Sequence, residues 1–192
     1  MRAKTVNRFN EMAIADVDFY DVVTDKLVAD ILEQLVDEEE AESEDMKARM
    51  KYELEERYTE ISYKFEEELI NENGEISIYR RMTVKPDWLK HLEKQGGRLG
   101  IYWSWDPDAA ETHWGFNQSL KTIMIESSIK SEYVDWVETL QLNISPLYEE
   151  EKEVRLFKNT PIKIKAIYDQ KGYEDGKAMR ISPNIKNKIF KA

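Results

Sequence analysis

The sequence predicts an α+β fold in which helices come first and a sheet is built afterwards. Three observations predict it. In the first third, apolar residues recur in steps of three and four, as along one face of a helix. After Gly74 the period becomes two, as along a strand. Beyond that point β-like runs are separated by short helical ones, an order that suits α+β rather than a doubly wound sheet.

The first helix is expected from Asp18, on the spacing of Phe19, Val22, Val23, Leu27, Ile31, Leu32 and Leu35. The acidic run at 37–45 then reads as a solvated connector. A longer helix follows, capped by Ser43 or Asp45. Its stripe is Met46, Met50, Leu54, Tyr58, Ile61, Phe65 and Leu69. Asn71, Asn73 and Gly74 stop it, with Gly74 supplying the turn. In the strand that follows, Ile76, Ile78, Arg80 and Met82 alternate with Ser77, Tyr79 and Arg81. Pro86 opens a short helix over 87–93, and Gly96-Gly97 makes a turn. Residues 99–105 read as the next strand, and Asp106-Pro107-Asp108 caps a further short helix. Strands are expected at 122–127, 154–157 and 162–168, and a helix at 133–140. Residues 171–192, with Lys171, Lys177, Arg180, Lys186, Lys188 and Lys191, read as a basic, partly ordered tail that folds back on the acidic helices. The expected organisation is an acidic helical extension at 1–73, a core at 74–170 and the tail at 171–192.

Composition narrows the function. The chain has 192 residues, of which 41% are hydrophobic and 35% charged, enough for one core with an extension. There is no cysteine, which excludes a disulfide framework and thiolate chemistry and fits a reducing, cytoplasmic setting. No apolar run approaches the ~18 residues that would suggest a membrane span, and the basic start lacks the apolar region of a signal peptide. The formal charge of −11 argues against non-specific nucleic-acid binding as the main activity. It suits a basic protein partner, or an acidic surface that imitates nucleic acid. P-loop, dinucleotide-fold and nucleophile-elbow motifs are missing, and His91 and His113 have no ligand at zinc spacing.

Three segments each offer a polar group: Tyr79-Arg80-Arg81, then Tyr102-Trp103-Ser104-Trp105, then Glu151-Lys152-Glu153-Val154 leading into Thr160-Pro161-Ile162-Lys163-Ile164. In order and approximate distance they resemble the arginine–serine–glutamate branch of the ADP-ribosyltransferases, closest to small phage or bacterial members. The run Asp108-Ala109-Ala110-Glu111 to Trp114-Gly115 adds to the likeness, which covers about half the chain. The resemblance implies the split-sheet core of that family, NAD as substrate, no metal, and a protein or nucleic-acid acceptor. It implies that Arg80 binds the diphosphate, Ser104 holds the catalytic carboxylate, and Glu153 stabilises the oxocarbenium-like ribose as nicotinamide leaves. Glu151 would orient or deprotonate the acceptor, and Tyr102 or Trp105 would stack on nicotinamide. The chain departs from the family at Trp105, where a second Ser or Thr is usual. Arg81 is the alternative to Arg80, facing the other side of a regular strand. Beside the enzyme stand two other readings: a non-enzymatic acidic binding or inhibitor module on the same fold, and an NAD hydrolase without an acceptor.

Overall fold

The computed structural model describes Phe19 and residues 23–38, 43–112, 120–146 and 152–192. The expectations for Val22, for the acids at 39–42, and for His113, Trp114, Gly115 and Glu151 lie outside the described residues. Helix α1 (Asp25–Glu38) turns Val28, Ile31, Leu32, Leu35 and Val36 into the core, the inward face its spacing predicts. Helix α2 (Glu44–Tyr63) is capped by Ser43, whose hydroxyl accepts from the Met46 N–H at 3.3 Å. Its stripe lies shallower than expected: Leu54 and Phe65 are buried, while Met46 is exposed. The last turns widen into a π-helix at Lys64–Leu69, and the added residue per turn shifts the stripe as the helix reaches the core. There Phe65 meets Trp136 edge-on at 5.0 Å and stacks with Phe19 at 6.3 Å.

Six strands form one antiparallel sheet in the order β4-β2-β1-β3-β5-β6. They are β1 (Glu75–Val84), β2 (Tyr102–Ser104), β3 (Lys121–Lys130), β4 (Glu153–Arg155), β5 (Pro161–Asp169) and β6 (Phe190–Lys191). Short helices connect them: α3 (Trp88–Gln95), α4 (Pro107–Thr112), α5 (Trp136–Ile144), α6 (Gln170–Glu174) and α7 (Pro183–Lys186). The β1–β3 ladder is regular along its whole length, from Glu75↔Lys130 to Val84↔Lys121. Ile76, Ile78 and Val84 therefore share one face with Ile123, Ile125 and Ile129, and these join α1, α2 and α5 in one hydrophobic cluster.

Three elements differ from expectation. The strand expected over 99–105 shrinks to three residues, because β2 meets β1 at a single pair, Tyr79↔Ser104, before the two diverge. The helix expected at 133–140 starts at Trp136 and runs to Ile144, capped by Asp135 and preceded by a 3-10 turn. The tail does not return to the acidic helices. Instead β6 pairs with β5 through Pro161↔Lys191 and Ile162↔Phe190. Glu93 on α3 accepts from Ser182 at 2.8 Å and Asn184 at 3.1 Å, and Lys188 donates to the Glu93 carbonyl. Phe190 and Ala192 are buried, so the apolar residues of the tail outweigh the attraction of its lysines for distant acids. The Leu99 N–H also donates to the Lys191 carbonyl at 2.8 Å, and the segment before β2 thus meets β6 and curls the sheet. His91 has a partner that zinc spacing does not reveal: Asp87, four residues back on the same helical face, at 3.0 Å.

Candidate active site

Direct cross-strand partners place their side chains on the same face of a sheet. Here the registers join into one row across four strands: Glu153 on β4, Ser104 on β2, Tyr79 on β1 and Glu126 on β3. The serine and glutamate singled out in the sequence are therefore immediate neighbours. They come from segments 48 or more residues apart. Tyr102 faces Arg155 in the next row on the same side.

The approach to Glu153 is held from three sides. Lys152 adopts a left-handed conformation with φ 46, unusual for a side chain other than Gly, Asn or Asp. That turn aims its carbonyl back at β2, where it accepts from the Ser104 hydroxyl at 3.0 Å and the Trp105 N–H at 3.1 Å. The Ser104 oxygen also accepts from the Asp106 N–H. Asp106 binds the Lys152 ammonium at 2.5 Å and caps α4 through the Asp108 and Ala109 N–H groups. Burial pushes the Asp106 carboxyl up, but these donors and the lysine charge outweigh it and hold the group below its ordinary value. Beneath lies Asn143 on α5, buried, whose amide donates 2.7 Å bonds to the Glu153 and Thr139 carbonyls and accepts from the Trp105 indole N–H at 3.1 Å. Nothing in the sequence marks Asn143 apart from its being polar, with Thr139, on the inward face of an otherwise apolar helix.

Arg80 and Arg81 part company. Strict alternation along β1 puts Arg81 on the face of Ser104 and Glu153, and Arg80 on the core face with Ile76 and Ile78. Arg80 reaches into the gap where β1 and β2 diverge. One guanidinium nitrogen donates to the Tyr102 carbonyl, and the group lies against Gly100. A Cβ at residue 100 would sit 2.9 Å from the guanidinium, and the φ of +84 there is itself a glycine conformation. Burial lowers the Arg80 pKa, while the Glu153 charge favours its protonated form. The Arg80 Nε is buried without a hydrogen-bond partner.

The two aromatic candidates also differ. Tyr102 is 47% exposed, its ring 4.5 Å from the Arg155 guanidinium, which also donates to its hydroxyl at 2.9 Å. Trp105 is buried, meets Phe65 edge-on and has the Lys64 ammonium 4.8 Å and the Lys152 ammonium 5.3 Å from its ring. The place where the family has a second hydroxyl is thus core in this chain.

Further along the row, Glu126 accepts from the Tyr168 hydroxyl at 2.9 Å. Burial first, and then this bond, push Tyr168 up to about 12. A surface depression lined by Asp45, Arg49, Tyr52 and Glu53 lies near the start of α2, toward the end of that helix away from Phe65. Among the described residues no cluster of His, Asp or Glu could hold a metal ion, and no helix is long and apolar enough to cross a membrane. No protein-family model matches the chain, and neither a curated protein nor a solved structure is significantly similar to it.

Proposed function

We propose that the chain is a mono-ADP-ribosyltransferase that moves ADP-ribose from NAD to a macromolecule and releases nicotinamide. One observation carries this reading: Ser104 and Glu153, distant in sequence, are direct cross-strand partners, and the strand of Ser104 lies next to β1, which bears Arg80 and Arg81. In the reaction the bond between ribose C1′ and the nicotinamide nitrogen breaks, and its electron pair leaves with nicotinamide. The Glu153 carboxylate offsets the positive charge that develops on the ribose. An acceptor nucleophile then bonds to C1′ and gives up its proton to Glu151, the carboxylate that by the resemblance orients or deprotonates the acceptor. Ser104 and Asn143 hold the entry to β4 and limit how far Glu153 can drift, so little reorganisation is needed as charge develops.

The residues fit NAD unequally. Tyr102 is exposed, with the Arg155 guanidinium against its ring, and nicotinamide would stack there by taking the place of Arg155 or the other side of the ring, whereas Trp105 is occupied by the core. For the diphosphate, Arg80 has a donor without a partner at Nε, while Arg81 shares the face of Glu153. A binding module on the same fold is the second reading. Trp105 in the place of a hydroxyl, together with the charge of −11, favours it.

The test is nicotinamide release from NAD by the purified protein, alone and with cell lysate, beside Glu153→Gln. The expected result is release that falls by about 10²-fold or more in the variant. Arg80→Ala and Arg81→Ala then identify the phosphate ligand, as the change that raises KM for NAD more. Absence of release and of NAD binding, with lysate present, rejects the transferase.

A further inference from the structure

The charge of this chain is polarised, and the basic pole lies on ordered strands. Between Val154 and Tyr168 every charged residue is a cation, and so is every one from Lys177 to Ala192. The sheet registers gather part of this charge on one face. Lys163 stands opposite Ser128, so it shares a face with Lys130 two residues further along β3. Lys191 stands opposite Pro161, two residues before Lys163, and is bridged on its other side to Arg98. Lys165 is the extra residue of a β-bulge, with Ala166 facing Glu126 and Ile164 facing Ser127. Lys158, in the turn before β5, lies one residue from Asn159, which accepts from Arg98 at 2.9 Å. All six cations are exposed, and among the described residues none of them has a carboxylate within ion-pair distance. Two acids of β1 and β3 share this face, and each is engaged by a hydroxyl: Glu75, opposite Lys130, accepts from Ser128 at 2.8 Å, and Glu126, opposite Ala166, accepts from Tyr168 at 2.9 Å.

Edge protection accounts for the lysine on β6 and, beyond Ile162 where β6 ends, for those on β5, but not for Lys130 on β3, opposite Glu75 of β1, or for Arg98 before β2. Cations at diagonal positions of neighbouring strands, about 7 Å apart, repel one another, a cost that a row of anions relieves.

We propose that the outer face of β3, β5 and β6 is a docking surface for the phosphate backbone of a nucleic acid. The extended, rigid arrangement of single cations suits a linear chain of single negative charges. Among the described residues the exposed large apolar side chains on this face are Tyr102, on β2, and Ile189 at the rim, too few and too far apart to suit insertion into a lipid surface. This inference does not rest on the transferase reading.

The experiment is fluorescence anisotropy with a labelled mixed-sequence oligonucleotide of about 20 nucleotides, titrated at several salt concentrations from about 50 mM upward. The proteins are wild type, Lys163→Glu/Lys165→Glu, and a control of equal charge change on helices, Lys51→Glu/Lys90→Glu. The expected result is salt-sensitive binding by wild type and control. The β5 variant binds roughly ten-fold more weakly, with a log–log salt slope shallower by about 1.4. Matching thermal melts show that the variants are folded. Absence of binding at the lowest salt, or equal weakening in the β5 variant and the control, overturns the proposal. So does binding to anionic vesicles, or salt-sensitive self-association lost in the β5 variant, if the oligonucleotide itself is not bound.

Discussion

Gly100 sets the room available to Arg80. Its missing side chain lets a guanidinium lie flat against the backbone, and its positive φ carries the chain into β2 without strain. Gly100→Ala is therefore expected to destabilise the fold by about 1–3 kcal/mol, through both strain and collision. In an Arg80→Ala background the collision disappears and only the strain remains, so a double-mutant cycle by thermal denaturation should show a smaller cost. Equal costs in the two backgrounds would mean that the guanidinium is not held at Gly100. The same glycine explains why the choice between Arg80 and Arg81 is not legible in the sequence. Alternation along β1 can be read from Ile76, Ile78 and Met82. What draws Arg80 toward the Tyr102 carbonyl is the divergence of β2, a property of two strands together.

At the scale of elements, β4 is an edge strand, and α5 covers its exposed backbone. Thr139 accepts from the Arg155 N–H at 3.0 Å, Asn143 donates to the Glu153 carbonyl, and the Asp135 N–H donates to the Arg155 carbonyl at 2.8 Å. Asn143→Leu should cost about 1–3 kcal/mol, because it strips buried partners from the Trp105 indole and the Glu153 carbonyl. Urea denaturation checks this, and an unchanged midpoint would show that β4 holds without the helix. Elements with a strong period were legible: α1, α2 and β1 follow their apolar spacing to within a few residues. The Glu153–Ser104 pairing was suggested by motif order alone, and it takes the register of β2 against β4 to make it geometric. The grip of α5 had no such signal, since Thr139 and Asn143 read as two polar interruptions of an apolar run. The tail misled for a different reason. Its lysines suggested attraction to acids, while Ile181, Ile185 and Phe190, buried in the structure, decide where it goes.

For the whole molecule, the carboxylates that stabilise the fold define its acid limit. Asp106, with Lys152 and two N–H donors, is held below the ordinary value, and Glu93 is lowered by Ser182 and Asn184. In the unfolded chain such groups titrate near about 3.9 and 4.3. A group depressed in the fold contributes stability that is present above its unfolded value and is lost as pH falls through the folded one. Asp135 works the other way: burial raises it, so its contribution grows as pH falls. Asp87 is lowered as well, by its bond to His91, and three depressed groups against one raised group predict melting temperatures that drop below about pH 4. The drop should be shallower in Asp106→Asn, and calorimetry across pH 3–6, roughly the span of these titrations, reads it; an identical slope would remove Asp106 from the account. The strand order carries a consequence for how the chain acquires its shape. The longest ladder joins β1 to β3, with a helix, a strand and a second helix between them in sequence. β3 in turn completes its other side with β5, and β5 with β6 at the extreme C-terminus. During synthesis β1 therefore emerges well before the strands that pair with its edges. The sheet closes late, by contacts of long sequence separation, and folding is slow relative to a helical chain of this size. Until the last strands arrive, Ile76 and Ile78 have only helices to shelter them, which gives the two preceding helices a second use as temporary cover for a nascent strand.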